Sequence, residues 1–271
     1  MMRRLLVAAA LIAAAGCGTT TAQPLGEVQL SAADALAQTA QKAEDVTSYA
    51  ADIVVDFSDP KGSTGNVRGT MLLQQKPTLA SDINLSQVSF AGQPLPGGVR
   101  AILVDETAYL KLDVLKQLTG TTKPWVKVGL SEVGDDASVR QFLSQAQQID
   151  LKSSVALLTA SKDVKAVGNE TVGNVQTTHY AGTFPVAEAV KLLPKESQDA
   201  LSGQLSAVKD MKFDAWIDDQ GLPRKIQLNG AAEGATFTAA LLFTSFNEQL
   251  SIDAPPADQV GEMPKNAPVT E

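Results

Sequence analysis

The chain has 271 residues, a formal net charge of −8 and a single cysteine. An acidic chain is unsuited to binding nucleic acids, because contact with the phosphate backbone requires clustered Lys and Arg. One cysteine excludes an intramolecular disulfide, so an exported form of this chain has to rely on a hydrophobic core, which a chain of this length can build.

The first sixteen residues have the pattern of a secretory signal. Arg3 and Arg4 precede an unbroken run of small and apolar residues, Leu5–Ala15, and a further small residue stands before Cys17. A basic start, an apolar run of this length and a small-residue cleavage site are typical of a signal peptide. A membrane-spanning helix needs about 20 apolar residues. Residues 1–16 are therefore predicted to be a signal peptide that is removed on export.

Cys17 directly follows Ala14-Ala15-Gly16 and resembles the cysteine of a bacterial lipobox, although a lipobox usually has Leu where this chain has Ala14. We interpret Cys17 as the lipidated first residue of the mature protein, anchored to the outer face of the plasma membrane. The alternative is an ordinary cleaved signal with an incidental cysteine. The acidic surface offers no basic patch for anionic lipid headgroups, so the lipid anchor has to hold the protein at the membrane. Residues 17–29 are small and polar and are predicted to form a flexible tether.

Residues 30–253 are predicted to form a single domain, which begins with one helix and a run of strands. Ser31 and Asp34 form a capping pattern, and apolar residues then recur at helical spacing over 32–46. From Tyr49 the period changes to two, which is typical of strands with one buried face. Strands are predicted at 49–57, 67–73, 83–90, 101–104, 107–112 and 125–128. The Pro- and Gly-rich segment 91–98 is predicted to be a loop.

The second half of the domain alternates helices and strands. Helices are predicted at 135–149, 151–160 and 186–193 and after Pro194, and strands at 163–172, 175–184, 213–217, 222–229 and 236–246. After Ile252 the chain becomes Pro-rich and acidic, and residues 254–271 are predicted to be a disordered tail. This order of elements is typical of an α+β fold with a large antiparallel sheet and helices gathered on one side.

Three stretches together resemble a known family. They are Thr178–Thr183 with the preceding Glu170–Gly173, Trp216–Lys225, and Phe246–Asp258. With the signal and Cys17, they resemble the actinobacterial lipoproteins of the LppX/LprAFG family, which belongs to the LolA/LolB-like superfamily of lipoprotein carriers. The resemblance covers residues 30–260.

The resemblance implies a half-barrel, in which one strongly curved antiparallel sheet holds helices on its concave side. An apolar cavity between sheet and helices would take acyl chains, such as palmitate, of lipids or glycolipids. Members of the family carry or present lipids outside the plasma membrane. The sequence identifies neither the lipid nor a partner transporter.

Residue patterns alone favour a filled core, whereas the resemblance favours a cavity. The candidate lining residues share faces of the predicted elements. They are Ile53, Val55, Phe57, Met71, Leu73, Phe237, Leu241 and Phe243 on strands and Phe142 and Leu143 on a helix. The loop Gly92–Gly98 is predicted to be a mobile entrance, because its glycines and prolines deny it regular structure.

No catalytic, metal or cofactor site is predicted. His179 is the only histidine and no Gly-x-Ser-x-Gly motif accompanies it, so we expect His179 or Tyr180 to make a structural hydrogen bond. Asp218 and Asp219 fall in a hairpin turn, where Asp bonds to its own backbone. Two functions therefore remain open. One is a lipid-carrying or lipid-presenting lipoprotein, and the other is a membrane-tethered interaction or sensor module with a closed core.

Overall fold

The computed structural model of the chain describes residues 30–111, 122–129, 151–195, 198 and 207–262. The helices in these residues are α1 (Ala32–Ala43), α2 (Leu151–Leu158) and α3 (Val186–Val190). The strands of the first half are β1 (Ser48–Ser58), β2 (Thr64–Gln74), β3 (Ala80–Phe90), β4 (Gln93–Pro94), β5 (Val99–Val104), β6 (Thr107–Lys111) and β7 (Trp125–Gly129). The strands of the second half are β8 (Lys165–Val172), β9 (Val175–Pro185), β10 (Asp210–Asp218), β11 (Pro223–Ala232), β12 (Ala235–Phe246) and β13 (Val260–Glu262).

All of these strands belong to one sheet. Its order is β13-β7-β6-β5-β3-β2-β1-β12-β11-β10-β9-β8, with β4 paired to β3. Neighbouring strands are antiparallel except for β13 and β7, which are parallel. Two runs of sequential strands meet at β1 and β12, where Ile53 lies opposite Leu241. The middle of the sheet is therefore built from the two ends of the domain.

Helix α1 has a capped start and one buried stripe. Ser31 Oγ accepts the backbone N–H of Asp34 at 3.1 Å, which satisfies one of the free donors of the first turn. Asp34 itself lies in that turn, where a negative charge is favourable to the helix dipole. The buried residues are Ala35, Leu36, Thr39 and Ala43. The helix predicted at 32–46 is confirmed, although it ends at Ala43.

The helices pack against one face of the sheet, which we call the inner face. On β1 this face carries the alternating side chains from Tyr49 to Phe57. The hydrophobic core lies here and includes Leu36 of α1 together with Leu151 and Leu158 of α2, each 1% exposed. The opposite face is called the outer face. The predicted α+β class, with a large antiparallel sheet and helices on one side, is confirmed.

The end of the chain differs from the predicted tail at 254–271. Residues Ala257–Gln259 form a single 3₁₀ turn and β13 then pairs in parallel with β7, where Val260 lies opposite Trp125. Lys127 Nζ lies 2.9 Å from Glu262 Oε1 in the same pair of strands. The physical reason is that β7 would otherwise present an open edge of unpaired backbone groups, which a short extended segment can satisfy.

The remaining differences concern element ends and undescribed segments. The helix predicted at 186–193 is shorter and spans Val186–Val190. The signal at 1–16, the tether at 17–29, the helix at 135–149 and the tail beyond 262 lie outside the described residues. Among the described residues, none of the helices has the length and apolar content needed to cross a bilayer.

Candidate functional site

Eight of the predicted lining residues lie on the inner face in three adjacent strands. Pairing of β1 with β12 places Ile53 opposite Leu241 and Phe57 opposite Phe237. On the same face of β1, Ala51 lies opposite Met71 and Phe243, and Tyr49 lies opposite Leu73. The other two predicted residues, Phe142 and Leu143, lie outside the described part of the chain. Contact of any of these residues with a ligand remains a prediction.

The exposure of these side chains changes along the inner face. Near the helices, Met71, Leu73 and Phe243 are buried, with exposed fractions of 4, 3 and 5%. Farther along, Ile53 on β1 and Leu241 on β12 are only partly buried, as are Val55, Phe57 and Phe237. Both edges of β1 and of β12 are hydrogen-bonded to neighbouring strands. Ile53 and Leu241 also pack against the hydrophobic core. Because the strand edges are closed, the part of each side chain that stays exposed belongs to an accessible apolar surface on the inner face.

Three phenylalanines form a row across the end of the inner face. Phe57 lies opposite Phe237 on one side and Gly65 on the other. Its ring is tilted against the ring of Phe90, with the ring centroids 5.6 Å apart. A Cβ built on Gly65 would lie 2.1 Å from Phe57 Cζ, and one on Gly230 would lie 2.2 Å from Phe237 Cε1. Each ring therefore covers a cross-strand glycine and replaces its missing side chain. We call Phe57, Phe90 and Phe237 the aromatic row.

An open pocket of 370 Å³ lies at the same end of the sheet, between β1, β2 and β12. It is lined by Asp56, Phe57, Ser58, Thr64, Gly65, Asn66, Thr236, Phe237 and Thr238. The charged member, Asp56, accepts two hydrogen bonds from Arg68 at 2.7 and 2.8 Å. Its volume falls near the lower end of small-molecule sites, which span about 300–1,000 Å³. The pocket therefore combines apolar rings, hydroxyl and amide groups and one carboxylate that is paired with Arg68.

The histidine lies on the outer face, away from the predicted lining residues. His179 Nδ1 is 2.8 Å from Glu170 Oε1, and His179 Nε2 is 2.8 Å from Asp214 Oδ1. The imidazole stacks on Trp216 with 4.4 Å between ring centroids, and Lys225 Nζ lies 4.2 Å from the centre of the Trp216 ring. We call these five residues the His179 cluster.

The contacts of the His179 cluster are those of a structural network. Trp216 Nε1 donates to Glu170 Oε2 at 2.8 Å. This hydrogen bond, together with one from His179, holds the pKa of Glu170 below its usual value. Both imidazole nitrogens face carboxylates, so neither nitrogen is free to take a proton from a nucleophile. The predicted structural hydrogen bond at His179 is confirmed.

Asp218 and Asp219 shape a turn and are not placed as an acid–base pair. Asp218 Oδ1 accepts the backbone N–H groups of Gln220 and Leu222, both at 2.9 Å. The Asp218 side chain is 1% exposed, whereas Asp219 is exposed. These bonds are the backbone contacts predicted for an aspartate in a hairpin turn.

Sequence reasoning missed the third member of the aromatic row and the structure beside it. Phe90 is 57% exposed. A register shift between β2 and β3 breaks the alternation of side chains along β3, so the sequence pattern does not indicate on which face of the sheet Phe90 lies. The predicted loop that follows is wrong for Gln93 and Pro94, which pair back onto β3. Between them and Phe90, Ala91 and Gly92 have φ values of 50° and 73°, as a tight two-residue hairpin turn requires. Gly92 was the residue in the sequence that could have indicated this turn.

No protein-family model matches the chain. An uncharacterised protein of Streptomyces griseus is 29% identical over 174 residues, which is 59% of this chain and 55% of that protein. A provisionally named lipoprotein of Streptomyces coelicolor is 26% identical over 136 residues, which is 49% of this chain and 40% of that protein. The matches thus span about half of the length of these curated relatives.

Two solved structures, one of them a lipoprotein, are similar to this chain in their fold. LppX of Mycobacterium tuberculosis has 17% identity and a TM-score of 0.43, covering 82% of this chain and 98% of LppX. LprF of Mycobacterium bovis has 12% identity and a TM-score of 0.48, covering 83% of this chain and 96% of LprF. Both names fall within the family that the sequence motifs resemble. Likenesses of this size say nothing about what this chain binds.

Proposed function

We propose that this chain is an exported lipoprotein that binds the acyl chains of a lipid or glycolipid against the inner face of its sheet. It carries or presents that lipid outside the plasma membrane, to which the lipidated Cys17 holds it. The observation that carries the proposal is the partial exposure of Ile53, Val55 and Leu241 in the middle of the sheet. In a filled core, apolar side chains at such central positions are close-packed and inaccessible.

The energy of such a complex comes from the ligand's methylene groups. Burial of one methylene contributes about 0.8 kcal/mol, so a sixteen-carbon chain contributes roughly 12 kcal/mol before the costs of ordering are subtracted. A ligand of this kind needs no charged side chain to bind it. This agrees with the inner face, where the predicted lining residues are all apolar, and with the pocket beside Phe57, where Asp56 is already paired with Arg68.

The proposed role is binding and not catalysis. His179 is the residue most suited to general acid–base chemistry, but it lies on the outer face with both ring nitrogens facing carboxylates. The ligand proposed here would lie on the inner face, on the other side of the sheet.

The test compares two adjacent leucines that face opposite ways. Leu241 lies opposite Ile53 on the inner face, whereas Leu242 lies opposite Asp52 on the outer face. The wild-type protein, L241W and L242W are purified in parallel, extracted with organic solvent and analysed for bound lipid by mass spectrometry. We expect lipid in the wild type and in L242W and a loss of lipid in L241W, because an indole at position 241 fills the space that an acyl chain needs.

A second pair of variants, V55W and V54W, repeats the comparison on β1 with the same expectation. Far-UV circular dichroism checks that all four variants keep the wild-type fold. If the wild type carries no lipid after purification and takes up none from vesicles, the lipid-binding proposal is wrong and an interaction module with a closed core takes its place.

A further inference from the structure

One hairpin of the sheet is free of charge beyond a single ion pair at its base. Residues 83–99 contain no Asp, Glu, Lys, Arg or His, in a chain of which 19% is charged. The two charged residues at its base, Asp82 and Arg100, neutralise each other through two hydrogen bonds of 2.6 and 2.9 Å. The part of β3 beyond this pair, with β4 and the turn between them, therefore presents only neutral groups.

The tip of this hairpin exposes an aromatic ring on a fixed support. Phe90 is 57% exposed, and Ala91, Gly92, Gln93 and Pro94 are exposed beside it. The turn is fastened to β2, because Gly92 N–H donates to the carbonyl of Thr64 at 3.1 Å. We call Phe90–Pro94 the hairpin tip. A fixed tip presents its ring without the entropy loss that ordering a mobile loop would add.

The exposed ring is continuous with the accessible apolar surface. Phe90 contacts Phe57, and Phe57 lies opposite Phe237. Val55, two residues before Phe57 on β1, belongs to the same face and is partly exposed. An apolar path therefore leads from the hairpin tip through the aromatic row to the centre of the inner face.

We propose that the hairpin tip docks on the interface of a phospholipid bilayer and joins the aromatic row to the membrane, so that an acyl chain passes between the bilayer and the inner face. This inference rests on the proposed lipid-binding function. Aromatic rings are favoured at the interface between headgroups and hydrocarbon. An uncharged hairpin enters that region without the cost of desolvating an ion.

Charge elsewhere on the chain orients this contact. The chain has a net charge of −8, and an acidic surface is repelled by anionic headgroups. The neighbouring turn after β1 carries two charged residues, Asp59 and Lys61, and the Asp59 carboxylate accepts the N–H groups of Lys61 and Ser63, both at 2.8 Å. We assign the docking contact to the hairpin tip, which has no such group.

The experiment uses the full chain in vesicles of neutral phosphatidylcholine and a quencher that cannot be taken up as a ligand. A nitroxide is fixed at the interfacial end of a bilayer-spanning peptide. F90W places an indole at the hairpin tip, and V167W places one at an exposed position on the edge strand β8, where Val167 is 55% exposed. The buried Trp125 and Trp216 give the background, which the wild-type protein measures.

We expect a loss of emission in F90W beyond the wild-type background and none in V167W. Equal quenching of both variants would mean that the whole domain lies near the membrane, and quenching of neither would mean that the tip stays in water. Either result overturns the docking proposal. A shift of F90W emission with protein concentration, in vesicles without nitroxide, would identify a second copy of the chain as the occupant and overturns it as well.

The lipid analysis of the wild-type protein is scored separately. Because the nitroxide stays in the bilayer, quenching of F90W does not depend on ligand uptake. If the wild type carries lipid but F90W is not quenched, the docking proposal is wrong and the lipid-binding proposal stands. If F90W is quenched but no lipid is bound, the lipid-binding proposal is wrong and only the membrane contact is supported.

Discussion

Arg224 is paired with a carboxylate that is almost fully buried. Arg224 Nε donates to Asp218 Oδ2 at 2.6 Å, and the side chains are 16% and 1% exposed. The guanidinium also lies 5.3 Å from the centre of the Phe246 ring. This pair links the turn between β10 and β11 to the last residue of β12, in one of the stretches that carry the family resemblance.

The first prediction concerns this pair. D218A leaves Arg224 without its partner and removes the acceptor for two backbone N–H groups, and loss of one member of a buried pair is strongly destabilising. We expect the free energy of unfolding to fall by about 3 kcal/mol in urea titrations. The control is D219A at the exposed neighbouring position, which is expected to change it by less than about 0.5 kcal/mol. Equal effects of the two substitutions would contradict the role given to Asp218.

The second prediction concerns pH and Glu170. The pKa of Glu170 is lowered from its ordinary value of 4.5, first by the hydrogen bond from Trp216 and then by that from His179. The groups that face Glu170 are His179 on β9, Trp216 on β10 and Lys225 on β11. Because the pKa is lower in the folded chain, the stabilising contribution of Glu170 is complete above the ordinary pKa and is lost as the pH falls through the folded value.

We therefore expect the free energy of unfolding to decline below about pH 4 in the wild type and to decline less steeply in E170Q. Urea titrations between neutral pH and pH 3 measure both slopes. An unchanged slope in E170Q would show that other carboxylates account for the acid sensitivity.

The third prediction separates His179 from ligand binding. H179Q loses one of the two contacts with Glu170 and Asp214, and a hydrogen bond to a charged group contributes about 1.5–3 kcal/mol. We expect a loss of stability of about 1–2 kcal/mol, since the site is partly exposed, and an unchanged content of bound lipid by mass spectrometry. A hydrolase activity that disappears in H179Q while the fold is intact would show that His179 is catalytic.

The fourth prediction concerns membrane attachment. Cys17 follows an apolar run and three small residues, and a diacylglyceryl group with an amide-linked chain provides more than the two signals that stable anchoring needs. We expect C17S to move from the membrane fraction to the soluble or unprocessed fraction of cells, as detected by immunoblotting. Processed C17S that stays in the membrane fraction would exclude lipidation as the means of attachment.

Much of the sheet is predictable from local sequence because its strands have a period of two. Alternation along β1 correctly placed Ile53, Val55 and Phe57 on one face, and the capping pattern at Ser31 located the start of α1. The predicted shape of a half-barrel with a cavity came from the family resemblance and not from alternation. Local pattern is the same for strands that pack on helices with or without a space between them.

The rest of the candidate site depends on contacts between distant parts of the chain. Nothing near Ile53 indicates that its partner is Leu241, because cross-strand pairing between remote segments leaves no local pattern. The pairing of Val260 with Trp125 is equally remote in sequence. Local sequence around Val260, a short segment between prolines, therefore predicts a disordered tail. Phe90 was missed because the register shift in β3 breaks the alternation that would have revealed its face.

The pairing of β1 with β12 also delays part of the folding of the sheet while the chain is being synthesised. β1 can pair with β2 as soon as both have been made, but its other edge has to wait for a strand that includes Leu241. At synthesis rates of about 5–20 residues per second, that delay is on the order of 10–40 s. During this time β1 has one unpaired edge and an uncovered apolar face. A nascent chain in this condition has an open strand edge that can pair with other chains, and a chain truncated before β12 would keep that edge permanently open.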